Sequence, residues 1–81
     1  MQIYNRLQLI RTERNVSRQA LAEAVGVNPQ TIGFIERGDY GPSLELAFKI
    51  ADFFNVPLES IFSSKLFPTL FDGNVKELRE D

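Results

Sequence analysis

Cysteine and histidine are both missing from the 81 residues of this chain. Without cysteine there are no disulfides and no thiolate metal sites. Without histidine the commonest general base and the commonest zinc ligand are also gone. Hydrolytic or metal-dependent catalysis would therefore rest on carboxylates alone. Those carboxylates are scattered over polar faces, Ser17 and Ser43 have no basic partner, and Asp72-Gly73-Asn74 lacks the repeated spacing of a calcium loop. The expectation is no enzyme, no metal and no cofactor. Long apolar runs are scarce too. Met1 to Ile10 holds Gln, Asn and Arg where a signal peptide needs a continuous apolar stretch. No run approaches the ~20 residues that span a bilayer. The chain reads as a soluble cytoplasmic protein with no membrane partner.

What is present suits one small globular domain. Hydrophobic residues make up 43% and charged residues 25%, ordinary values for a folded chain. The net charge of −2 argues weakly against a nucleic-acid partner, but its distribution reverses that argument. Residues 1–41 carry five arginines against four carboxylates, while residues 42–81 carry four cations against seven carboxylates. An arginine-bearing first half and an acidic second half are compatible with one DNA-facing side.

The periodicity predicts an all-α chain of five helices. A first helix runs from about Tyr4 to Arg14, with Leu7, Ile10 and Ile3 on its inner face. Ser17 stands as an N-cap before a second helix, Arg18 to Val25, which Gly26 ends. Asn28 caps a third helix with Pro29 at its first position, running to about Arg37 and closed by Gly38. Ser43 caps a fourth, Leu44 to about Phe54, and Leu58 to Phe62 reads as a short fifth. Residues 1–62 form the domain. Residues 63–81 form a tail that serves as a dimerisation segment, with a charged, frayed end.

Two short helices that meet at a steep angle need a small residue where they approach, a sharp turn, and an apolar anchor on the second helix. Ala22, Gly26, and the pair Ile32 and Ile35 supply these in order. The result is a helix-turn-helix whose second helix fits the major groove of double-stranded DNA. The competing reading is a helical bundle that uses the same turn for packing alone.

Residues 6–62 resemble the phage-repressor and Cro-like helix-turn-helix proteins, the XRE family. The matching strings are Ser17-Arg18-Gln19-Ala20-Leu21-Ala22-Glu23, Gly26-Val27-Asn28, Thr31-Ile32, Ile35-Glu36-Arg37-Gly38, Pro42-Ser43-Leu44 and Ile50-Ala51. The resemblance implies a lambda-repressor-like domain, a homodimer on a palindromic operator, and repression. It places the base-reading positions on Pro29, Gln30, Gly33 and Phe34, with Asn28 and Thr31 nearer the DNA backbone. Gln30 is the strongest reader, because its amide can pair bidentately with adenine. The plainer alternative makes Gln30 and Thr31 ordinary solvent-facing residues. Arg11 and Glu36 match a partly buried salt bridge of the family. Arg18 stands where the family commonly has glutamine; it keeps a phosphate contact but gives up the pairing with the third helix. Arg14, Arg37, Tyr40 and the backbone at Gly41 are further phosphate candidates, and Arg6 reads as a solvated charge.

The fourth helix is apolar around most of its girth, and a chain of this length has difficulty covering it. The tail adds Leu66, Phe67, Leu70 and Phe71 to Phe62. These residues either fold back over the fourth helix or, as the family resemblance favours, build a homodimer interface. A rival role for the same tail is to bind a small protein partner, as in an antitoxin that also represses its own promoter.

Overall fold

The computed structural model describes residues 1–68. The chain starts with a two-residue strand β1 (Tyr4–Asn5), followed by helices α1 (Leu7–Glu13), α2 (Arg18–Val25), α3 (Pro29–Arg37) and α4 (Leu44–Phe54). A single 3-10 turn (Leu58–Ser60) leads into a second short strand, β2 (Phe62–Ser63).

Local chemistry sets the boundaries of α2, α3 and α4. Ser17 Oγ accepts from the Ala20 N–H at 3.0 Å, Asn28 Oδ1 from Gln30 at 2.8 Å, and Ser43 Oγ from Leu46 at 3.1 Å. Each satisfies a donor that the first helical turn leaves free, for about 1 kcal/mol apiece. At the far end of α2 the chain reverses through Gly26 at φ 79°, with its N–H on the Ala22 carbonyl. That left-handed conformation costs glycine nothing, and it makes the turn to α3 possible within three residues.

The core lies where the helices converge. Leu7 of α1, Leu21 of α2, Ile32 and Ile35 of α3, Ile50 of α4 and Ile61 after the 3-10 turn are fully buried. Ala22 is buried as well, beside Val25, consistent with its role as the small residue of the α2–α3 crossing.

Both ends of the expected five-helix domain differ. The first helix begins at Leu7 rather than Tyr4, because Tyr4 and Asn5 pair antiparallel with Ser63 and Phe62. Asn5 also redirects the chain: its Oδ1 accepts from Leu7 N–H at 3.0 Å and its Nδ2 donates to the Ile35 carbonyl at 2.9 Å. Ile3 consequently lies outside the core, 46% exposed. The fifth helix is replaced by the 3-10 turn and β2, leaving four α-helices among the described residues. Five residues after the Asn55-Val56-Pro57 break are too few to repay helix nucleation, and β1 takes the backbone of Phe62.

Helix α4 buries Leu46, Ala47, Ile50, Ala51 and Phe54, but Leu44, Phe48 and Phe53 are exposed. Its polar stripe includes a Glu45–Lys49 pair at 3.4 Å. No helix among the described residues is long and apolar enough to cross a membrane.

Candidate nucleic-acid interface

Helix α3 is held from behind and open in front. Ile32 and Ile35 anchor it in the core, and Asn28, Pro29, Gln30 and Phe34 are exposed, with Thr31 half-buried. Asn28 has its Oδ1 committed to the cap, which leaves its Nδ2 for another acceptor. Pro29 has no N–H to offer. Among these exposed positions, Gln30 alone carries both a side-chain donor and an acceptor with neither engaged by the described residues, since only its backbone N–H takes part in the cap.

Behind α3 sits a charge cluster. Glu36, with its side chain 1% exposed, receives Arg11 Nε at 2.6 Å on one oxygen and Arg18 Nε at 3.0 Å on the other. Arg11 also donates to the Val16 carbonyl at 2.9 Å. One carboxylate thus joins α1, α2 and α3. Such a buried pair fixes geometry more surely than it adds net stability. The Arg18–Glu36 contact corrects the expectation that arginine at this position would give up its tie to the third helix. The longer side chain reaches from the start of α2 to the same carboxylate on α3 that Arg11 uses.

The remaining arginines sort themselves by partner. Arg14 donates to the Phe54 carbonyl at 3.0 Å, where it satisfies the free C-terminal end of α4. Arg6 is exposed, as expected of a solvated charge, and also has partners in the chain: its Nε donates to the Ser60 carbonyl at 2.6 Å and its guanidinium lies 4.4 Å from the Phe67 ring centre. Three of the five arginines in the first half are therefore engaged inside the domain. Only Arg18 and Arg37 remain beside the outer face of α3. Arg37 lies 5.0 Å from the Phe34 ring centre, with Nε 3.1 Å from Asp39.

Gly33 is buried, which sequence position alone did not suggest for a base-reading residue. A methyl group placed on it would lie 3.4 Å from Arg37 Nη1 and 3.7 Å from Arg18 Cζ and Nη1. Two guanidiniums thus lie over the glycine. Tyr40 and Gly41 follow α3 on an exposed loop beside Arg37, Gly38 and the N-terminal residues.

Of the candidate interface residues, Phe62 is half-buried against the core, Phe67 is half-buried beneath Arg6, and Leu66 is 75% exposed. Leu70 and Phe71 lie outside the described residues. No group of three or more metal-ligating side chains occurs among the described residues.

Two helices joined by a three-residue turn, the second capped, anchored on one side and open on the other, define a DNA-binding helix-turn-helix. The chain belongs to the XRE-type helix-turn-helix family of DNA-binding transcriptional regulators, whose HTH_3 family model matches residues 7–61. An uncharacterized HTH-type transcriptional regulator of Methanocaldococcus jannaschii is 52% identical over 58 residues, covering 72% of this chain and 88% of that protein. The uncharacterized HTH-type regulator YgzD of Bacillus subtilis is 43% identical over 58 residues, with the same coverage of 72% and 88%. Among solved structures, the restriction-modification controller protein C.AhdI from Aeromonas hydrophila superposes with a TM-score of 0.63 at 28% identity. That match covers 67% of this chain and 82% of C.AhdI.

Proposed function

We propose that the protein represses transcription by binding a palindromic operator as a homodimer, with α3 of each subunit in the major groove. The observation that carries this is the one-sided anchoring of α3. Its apolar face is fixed by Ile32, Ile35 and the Glu36 cluster, and its outer face offers Gln30 to a base edge. Thr31 and the free amide end of Asn28 lie toward the phosphates, and Tyr40 and the Gly41 backbone approach them from the loop after α3. Two reading helices one DNA turn apart, ~34–36 Å, match an inverted repeat. A dimer bound over a promoter excludes polymerase by occupancy.

The test is retardation and footprinting on the DNA upstream of the protein's own coding sequence. The native domain should protect two half-sites. Gln30→Ala should weaken specific binding by ~1–3 kcal/mol while leaving binding to unrelated DNA unchanged. Equal binding of the variant and the native protein to every fragment would remove Gln30 as a reader. Absence of any protected half-site on promoter DNA would remove the operator reading.

A further inference from the structure

We infer that Arg18 and Arg37, folded over the side-chain-free position Gly33, form a paired guanine reader in the major groove. The inference deepens the DNA-reading role proposed for α3 and rests on it. Each guanidinium comes within 3.4–3.7 Å of the point where a residue-33 side chain would begin. They therefore occupy the space of the missing side chain, one turn along α3 from Gln30. Arg18 and Arg37 are 44% and 53% exposed, so their outer edges form the surface there.

Both are held by the same device. Arg18 Nε is on Glu36 at 3.0 Å and Arg37 Nε is on Asp39 at 3.1 Å. No hydrogen bond among the described residues uses the Nη groups of either. Each carboxylate holds its guanidinium by the Nε edge and leaves the terminal N–H groups without a partner among the described residues, available to pair with guanine O6 and N7.

The same carboxylates weigh against a phosphate as the occupant. Attraction to the DNA backbone is driven by net positive charge. Asp39 offsets part of the charge of Arg37, and Glu36, shared between Arg18 and Arg11, offsets part of theirs. A guanidinium beside a carboxylate is drawn less strongly to a phosphate, while its terminal N–H groups keep their donor geometry for a neutral base edge. This reassigns both arginines from the backbone role that their sequence positions imply.

The experiment is selection from a randomised duplex library by the native protein and by Arg18→Gln, Arg37→Gln and Gly33→Leu. The native motif should contain guanines at fixed positions. Each Gln variant should lose one of those preferences, by roughly 5- to 150-fold, and retain the position read by Gln30. Gly33→Leu keeps both charges but fills their space, and should lose the same guanines. Thermal melts establish that it folds; if it does not, the two Gln variants decide. Motifs unchanged in both Gln variants, with affinity lowered evenly across sequences, would make the arginines phosphate anchors and overturn the inference alone. If the native protein enriches no motif, the DNA-reading role falls and this inference falls with it.

Discussion

Glu36 is where one residue does most to hold the reading helix in place. Its side chain is almost wholly buried and it serves two cations, one of them, Arg11, nearly as buried as itself. Removing the negative charge strands Arg11 in the interior, whereas removing Arg18 leaves the Arg11–Glu36 pair intact. Glu36→Gln should therefore cost roughly 3–5 kcal/mol of unfolding free energy. Arg18→Ala, at a half-exposed partner, should cost about 1 kcal/mol or less. Urea denaturation of the two variants measures the difference directly, and equal losses would mean that the cluster is not organised around the buried pair. The family pattern points to Arg11 and Glu36 as partners but not to the third member. Whether an arginine at position 18 reaches Glu36 depends on the distance between α2 and α3, which one-dimensional spacing does not contain. Asn5 was missed for a similar reason. It ties the start of α1, through the nearby Leu7 N–H, to the Ile35 carbonyl 30 positions away, and an isolated asparagine in a polar stretch carries no signal of that long-range contact.

At the scale of elements, α2, α3 and α4 were readable to the residue because each carries its own punctuation. A serine or asparagine at the start, and a glycine after α2 and α3, are local instructions that need no tertiary context. The ends of the domain carry no such marks. Tyr4 to Arg14 and Leu58 to Phe62 have helix-compatible patterns, and what overrides them is the pairing of β1 with β2. Sequence periodicity cannot show a strand of two residues. The turn between α2 and α3 has its own testable consequence. A methyl group on Gly26 would meet nothing within 4 Å, so Gly26→Ala creates no clash and pays only for a left-handed alanine. The loss should be about 1–2 kcal/mol, read from a shift in the denaturation midpoint, with the fold and the DNA motif retained. A loss of sequence preference at full stability would instead tie this turn to recognition.

For the whole molecule, the question is what covers the apolar surface that remains. Leu44 and Phe48 on one side of α4, together with Leu66, are exposed among the described residues. Of the five arginines in the first half, Arg11 is buried against Glu36, while the exposed Arg6 and Arg14 donate to backbone carbonyls and keep their charge. With a net charge of −2, long-range attraction to DNA is weak, and the proposed homodimer would raise affinity by binding through two reading helices at once. Sedimentation equilibrium at tens of micromolar should give a species of twice the 9.2 kDa chain mass. A purely monomeric protein at that concentration would sink the homodimer.

The clasp between β1 and β2 sets the order in which this domain can assemble. Tyr4 and Ser63 are partners across 59 positions of sequence, and closing a ring of that size in a loose chain costs on the order of 3–4 kcal/mol of entropy. A strand pair of two residues, with the Arg6 N–H on the Ile61 carbonyl beside it, cannot repay that alone. The helices must first collapse on one another and bring the two ends within reach. The clasp then closes last in folding and opens first in thermal fluctuation. The amide of Arg6 should accordingly exchange its proton faster than the amides of α2 and α3, well before the molecule as a whole unfolds.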